Sequence, residues 1–120
     1  SEWETLVNYL GGTAIAGNKL KETGFIHWKK PVSQYSGGTN ETCFTALPGG
    51  YYGPSSNSMG FGGIRDYGGW WSSTLSPTEY QDYYDILKCA WGRTMYSGNG
   101  SITRDESFQV SGLSVRCIKN

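Results

Sequence analysis

The chain has 120 residues, of which 18 are glycine; charged residues make up only 17% and aromatic residues 15%, and ten basic side chains balance ten acidic ones. That length suits one domain, the ring content and zero net charge exclude a disordered chain, and glycine at about twice its usual ~7% excludes a coiled coil or helix bundle. Balanced charge removes the electrostatic footprint of a nucleic-acid binder, and the longest uncharged stretch, Thr42 to Ile64, is too rich in Gly, Ser, Pro and Asn to span a bilayer.

Ser1-Glu2-Trp3-Glu4 fits a capping box, the Ser1 hydroxyl accepting from the Glu4 amide. Trp3, Leu6, Val7 and Leu10 then recur at i, i+3, i+4 and i+7, and the spacing predicts a helix from Glu2 to Leu10. Gly11-Gly12 ends it, glycine being the residue best suited to a left-handed cap. From Thr13 to Asn40 periodicity is weak: Lys19-Leu20-Lys21 reads as a brief extended piece, and Phe25, Ile26 and Trp28 as a hydrophobic anchor. Cys43 to Leu47 predicts a buried strand stopped by Pro48-Gly49-Gly50, and Tyr51 to Gly69 a long loop of the kind that carries function. Trp70 to Thr74 is the next strand, with Trp70 and Trp71 on opposite faces so that at least one is core.

The following stretch supports two readings. Ser76-Pro77-Thr78-Glu79 is a second capping box, with Tyr80, Tyr83, Tyr84 and Leu87 at helical spacing. Tyr83, Leu87, Cys89 and Trp91 equally share one face of a strand. Ser97 to Gly100 predicts a turn and Ser101 to Arg104 a short strand; Leu113, Val115 and Cys117 alternate with Ser114 and Arg116, as in a half-buried final strand whose Arg116 pairs with an acidic neighbour. With no internal repeat or linker, residues 1–120 read as one α+β domain.

Little in the chain suggests catalysis. His27 is the only histidine, and the spacing places no Ser, Cys or Asp to complete a dyad or triad with it, so it reads as a structural or surface residue and the chain as a non-enzyme. Cys43, Cys89 and Cys117 lack C-x-x-C spacing, which argues against zinc. They are either buried free thiols or one disulfide with an orphan, the latter in an extracytoplasmic protein. Asn99, Asp105 and Glu106 are too few oxygens for calcium, so no metal and no cofactor is expected. What stands out is aromatic: Tyr51, Tyr52, Tyr67, Tyr80, Tyr84, Trp91 and Tyr96 sit among Ser, Gly and Asn. Binding loops use that composition, rigid rings giving contact area at low entropy cost, and aromatic faces also stack on sugar rings.

Five motifs occur in order: Glu2-Trp3-Glu4-Thr5-Leu6, Lys19-Leu20-Lys21, Phe44-Thr45-Ala46-Leu47-Pro48-Gly49-Gly50-Tyr51, Gly69-Trp70-Trp71-Ser72-Ser73-Thr74 and Leu113-Ser114-Val115-Arg116-Cys117. Together they resemble the Fibrobacter succinogenes major paralogous domain, found in secreted and lipid-anchored bacterial surface proteins. The resemblance implies a C-type-lectin-like fold, with two helices and a small twisted antiparallel sheet carrying long irregular loops. It also implies a strand over Tyr83 to Cys89 after a helical turn near Pro77. The calcium-binding triplets of metal-dependent lectins are missing. Relatives carry a further upstream segment, so the chain resembles an N-terminally truncated domain, and its own upstream segment or another subunit becomes an expected partner. In related folds the counterpart of Cys117 pairs with an upstream cysteine, which leaves Cys43 and Cys89 as the remaining disulfide pair. The chain departs from the family at Cys43, where Gly is usual, at Tyr52, where Arg is usual, and across Leu75 to Val110, which lacks the relatives' Tyr/Asn-rich ladder. The function implied is a non-catalytic adhesion module of a bacterial extracytoplasmic protein recognising a glycan or protein; the alternative is a structural spacer or assembly domain.

Overall fold

The computed structural model describes residues 2–55, 58–81 and 86–117. Two short helices, α1 (Glu2–Tyr9) and α2 (Thr13–Leu20), precede five strands: β1 (Gly49–Ser55), β2 (Ser58–Ile64), β3 (Tyr67–Gln81), β4 (Ile86–Tyr96) and β5 (Thr103–Phe108). The strands form one sheet in the order β2-β1-β3-β4-β5, so the α+β class holds. The sheet is mixed rather than antiparallel throughout. β1 meets β3 in parallel at Gly50 and Gly68, while β1–β2, β3–β4 and β4–β5 are antiparallel.

The predicted first helix is present, and its Ser1 cap lies outside the described residues. Gly11 and Gly12 stand at φ 99° and 97°, where a Cβ is strained. There the Gly12 amide bonds back to the Val7 carbonyl at 2.9 Å and closes α1. The expected extended piece at Lys19-Leu20-Lys21 is instead the end of α2 and its C-cap. Gly17, costly in an ordinary helix, hid this helix from the periodicity. It is required by packing: a Cβ there would lie 2.2 Å from the Ser101 carbonyl oxygen. Backbone to backbone, the Asn18 amide donates to Gly100 at 2.8 Å and the Ile102 amide to Thr13 at 2.8 Å.

Cys43 to Leu47 is not a strand. Cys43 and Thr45 adopt φ 56° and 53°, which breaks the extended backbone, and only Ala46 bridges, to Lys21. The expected loop at Tyr51 to Gly69 is largely the β1–β2 hairpin and the start of β3. Pro77 lies within β3, so no helical turn forms there; bulges between Trp71 and Leu75 and between Leu75 and Glu79 accommodate the extra residues. Of the strand expected at Tyr83 to Cys89, the stretch from Ile86 onward belongs to β4 and residues 82–85 lie outside the described residues. The expected final strand reduces to two bridges, Gly112 to Tyr52 and Ser114 to Trp70. Residues 112–114 thereby fill the gap where β1 and β3 diverge. Val115 is 73% exposed and Cys117 is exposed, so neither is core.

The core lies between the helices and one face of the sheet: Val7, Leu10, Ala16, Leu20, Trp28, Ala46, Trp70, Met95 and Ile102. Phe44 sits between Trp3 and Trp70, with ring centroids 5.8 and 6.0 Å away. Among the described residues no acid pairs with Arg116; its guanidinium lies 4.6 Å from the Phe44 ring centroid and donates to the Phe44 carbonyl. Lys21 is buried with this core. Its ammonium donates to the main-chain carbonyls of Tyr96 and, at 2.7 Å, Asn99, and lies 4.5 Å from the Trp28 ring centroid. Burial pushes its pKa down to about 8.

All three cysteines are free, Cys43 and Cys117 exposed and Cys89 buried, so the expected Cys43–Cys89 bridge does not form. Cys89 is held on β4 while Cys43 projects from an irregular segment outside the sheet. Burial, then the Glu106 carboxylate, raises the Cys89 thiol pKa and suppresses the reactive thiolate. Alkylation of the native protein followed by mass measurement is expected to label Cys43 and Cys117, and Cys89 only after unfolding. A native mass short by two hydrogens would contradict this.

Candidate functional site

Four of the predicted ring residues come together. Tyr67 on β3 and Tyr96 on β4 are direct cross-strand partners, which brings their rings to 5.3 Å with planes at 71°. Tyr51 on β1 adds a third ring, 5.5 Å from Tyr67 and turned by 80°. β2 makes room for them by having no side chains where they lie: a Cβ on Gly62 would sit 2.9 Å from the Tyr51 hydroxyl, and one on Gly63 2.9 Å from the Tyr67 Cβ. At the other end Tyr80 on β3 meets Phe108 on β5, with centroids 5.4 Å apart and planes at 83°. Between them lies an open trough of about 610 Å³, within the usual size of a small-ligand site. Tyr51, Tyr80 and Tyr96 are 39%, 49% and 48% exposed, leaving ring surface for a ligand.

Two carboxylates reach the trough, Asp66 and Glu106. Asp66, in the turn from β2 to β3, accepts from the Ser97 hydroxyl, and its main-chain carbonyl accepts the Ser97 amide at 2.8 Å. Lys29 stands 3.7 Å from its other oxygen. Glu106 on β5 accepts from the hydroxyls of Ser76 and, at 2.8 Å, Thr78. Just outside, Asp105 accepts from Thr94 and, at 2.7 Å, from Thr103. Burial raises the Tyr67 pKa first, followed by the fields of Tyr96, Asp105 and Tyr51. Tyr96 is raised by burial, then by Asp105 and Tyr51. Both phenols therefore stay protonated at neutral pH.

The remaining predicted residues stand apart. Tyr52 packs on Phe61, 4.9 Å between centroids. Trp91 lies 3.9 Å beneath the Arg104 guanidinium, and neither lines the trough. Tyr84 lies outside the described residues. Sequence reasoning missed Phe108 and Asp66, and weighed Glu106 only as a calcium ligand rather than as part of this site. The alternation of Arg104, Glu106 and Phe108 would have revealed two of them had the short strand been extended past Arg104.

His27 has a carboxylate partner that its spacing did not suggest. The buried Glu22 accepts from the His27 amide at 2.6 Å and pairs with Nδ1 at 2.8 Å. Burial raises the Glu22 pKa, but the hydrogen bonds and charge of His27 outweigh it and the net shift is downward. No hydroxyl or thiol among the described residues bonds to this pair, and it ties down the irregular segment after α2. Among the described residues no group of three or more His, Cys, Asp or Glu is placed to hold a metal ion, and no helix is long and apolar enough to cross a membrane.

Residues 1–119 match the model of the Fibrobacter succinogenes major domain family. No curated protein and no solved structure matches the chain.

Proposed function

The chain belongs to the Fibrobacter succinogenes major domain family, and from that membership and the aromatic trough we propose that it is a non-catalytic binding module of a bacterial extracytoplasmic protein, with a C-type-lectin-like arrangement of its sheet, recognising a glycan or a protein. One observation carries the reading: Tyr51, Tyr67, Tyr80 and Tyr96, from three different strands, converge on a single open trough. Convergent rings with a few polar groups are what a recognition site needs. Tyr51→Ala combined with Tyr96→Ala is expected to abolish wild-type signals on a glycan array and on a panel of immobilised surface proteins, with circular dichroism unchanged. Signals that survive the double substitution would remove the trough from the function.

A second reading, an assembly or spacer domain, is favoured by a different feature. β2 is an edge strand without a charged residue, and Phe61 and Ile64 on it are 90% and 71% exposed. Such an edge is open to pairing with another strand. Concentration-dependent self-association abolished by Phe61→Lys, with no ligand for the trough, is the result that selects this reading.

A further inference from the structure

We propose that the trough takes an organic cation, a methylated or quaternary ammonium group carried by the ligand. The inference rests on the trough being the binding site and adds the chemical class of what enters it.

The first support is the mutual angle of the rings. A sugar stacks on a flat aromatic platform, but Tyr51, Tyr67 and Tyr96 turn by 80° and 71° from one to the next. Each pair meets edge to face, so successive rings turn differently oriented surfaces toward the trough rather than one flat platform. Aromatic cages hold alkylammonium ions among rings set at steep mutual angles, whose faces carry the negative potential. Tyr80 and Phe108, at 83° to each other, repeat the geometry at the far end of the trough.

The second support is the sign of the charge. Asp66 and Glu106 line the trough, and among the described residues no Lys, Arg or His does. The donors on Glu106 are the hydroxyls of Ser76 and Thr78, which fix the carboxylate without cancelling its charge. Among the described residues no basic side chain pairs with it. Asp66 is only partly offset by Lys29, itself largely exposed at 3.7 Å. The Asp105 field that helps keep the Tyr67 and Tyr96 phenols protonated is one that attracts a cation and repels an anion. A ligand bearing carboxylate or phosphate alone would meet this charge unpaired.

The test is calorimetric titration of the whole chain with four probes: choline, Nε-trimethyl-lysine amide, 3,3-dimethylbutanol (the uncharged carbon isostere of choline) and methyl glucoside. Choline or trimethyl-lysine amide is expected to bind about tenfold or more tightly than the isostere, as cation–π recognition in a desolvated site provides. The stronger of the two identifies the source, a choline-type headgroup or a peptide side chain. Tyr67→Leu and Glu106→Gln are each expected to weaken the cation several-fold, and Tyr67→Phe to retain it. Equal affinity for the isostere, or glucoside binding without cation binding, overturns the cation while leaving the trough a binding site. Silence toward all four probes also overturns it, and the glycan and protein panels with the Tyr51→Ala/Tyr96→Ala variant then decide separately whether the trough binds anything.

Discussion

Gly17→Ala is expected to destabilise the domain by about 3 kcal/mol or more, although the same change in an open helix stabilises by ~1 kcal/mol. The reversal comes from what faces the helix. A Cβ at Gly17 would lie 2.2 Å from the Ser101 carbonyl oxygen, 2.6 Å from its carbon and 2.9 Å from the Gly100 oxygen. All three are backbone atoms, which cannot swing aside as a side chain would. Separating them also stretches the bonds from Asn18 to Gly100 and from Ile102 to Thr13, each 2.8 Å long. Gly98→Ala is the control, because a Cβ there meets nothing within 4 Å, and it is expected to change stability by less than about 0.5 kcal/mol. Urea denaturation of the two variants checks the contrast. A Gly17→Ala protein as stable as the wild type would mean that α2 does not dock on residues 100–102.

The second large effect is a pH dependence. Lys21, buried and paired with carbonyls rather than a carboxylate, titrates at about 8 in the fold, against ~10.4 in an unfolded chain. Between those values the unfolded state holds a proton that the folded state has released, so the contribution of Lys21 to stability rises with pH. Below about pH 8 the cost of burying the ammonium is felt in full; by pH 10.4 it is relieved. The neutral Lys21→Met variant lacks this term. The stability of wild type minus that of the variant is expected to climb by ~1.4 kcal/mol per pH unit, roughly 3 kcal/mol in all. Cys89, Tyr67 and Tyr96 have raised values. Each holds its proton longer in the fold, so each lowers stability as pH rises through its unfolded pKa. Both proteins share those losses, and the subtraction cancels them. Denaturation curves between pH 7 and 10.5 check it, and a flat difference would show that Lys21 keeps its charge in the fold throughout.

How much could be read in advance depended on whether an element's composition served its local conformation or a distant neighbour. α1 was legible because Trp3, Leu6, Val7 and Leu10 repeat with the helical period and two glycines stop it. The Trp70 strand was legible from its paired indoles, with Trp70 buried as one of them had to be. α2 was not, since Gly17 answers to Ser101, far along the chain. The β1–β2 hairpin read as a loop for the same reason: Gly62 and Gly63 are where the Tyr51 and Tyr67 rings lie. Cys43 to Leu47 had the apolar content of a strand, but a sequence does not display two positive φ angles. At the site, composition identified tyrosine as the material. Only the sheet order determined that Tyr51, Tyr67, Tyr80 and Tyr96 would meet while Trp91 went beneath Arg104.

The short segment between β1 and β3 has a consequence for the order in which the domain comes together. β3, β4 and β5 are consecutive antiparallel neighbours and can zip locally, whereas the backbones of β1 and β3 pair at only one position. The Tyr52 and Gly112 amide–carbonyl pair, at 2.9 and 2.7 Å, and the Ser114 bonds to Gly69 and Trp71, at 2.9 and 3.1 Å, supply the rest of that junction. They come from residues later in the chain than either strand they join. Docking of the β1–β2 hairpin onto β3 is therefore expected to be completed late, when residues 112–114 arrive, after a loop-closure cost that local zipping avoids. Tyr51 travels with the hairpin, so one wall of the trough exists only in molecules that have completed this docking. Proteolytic or thermal release of the segment at 112–114 is expected to open the trough before it unfolds the core.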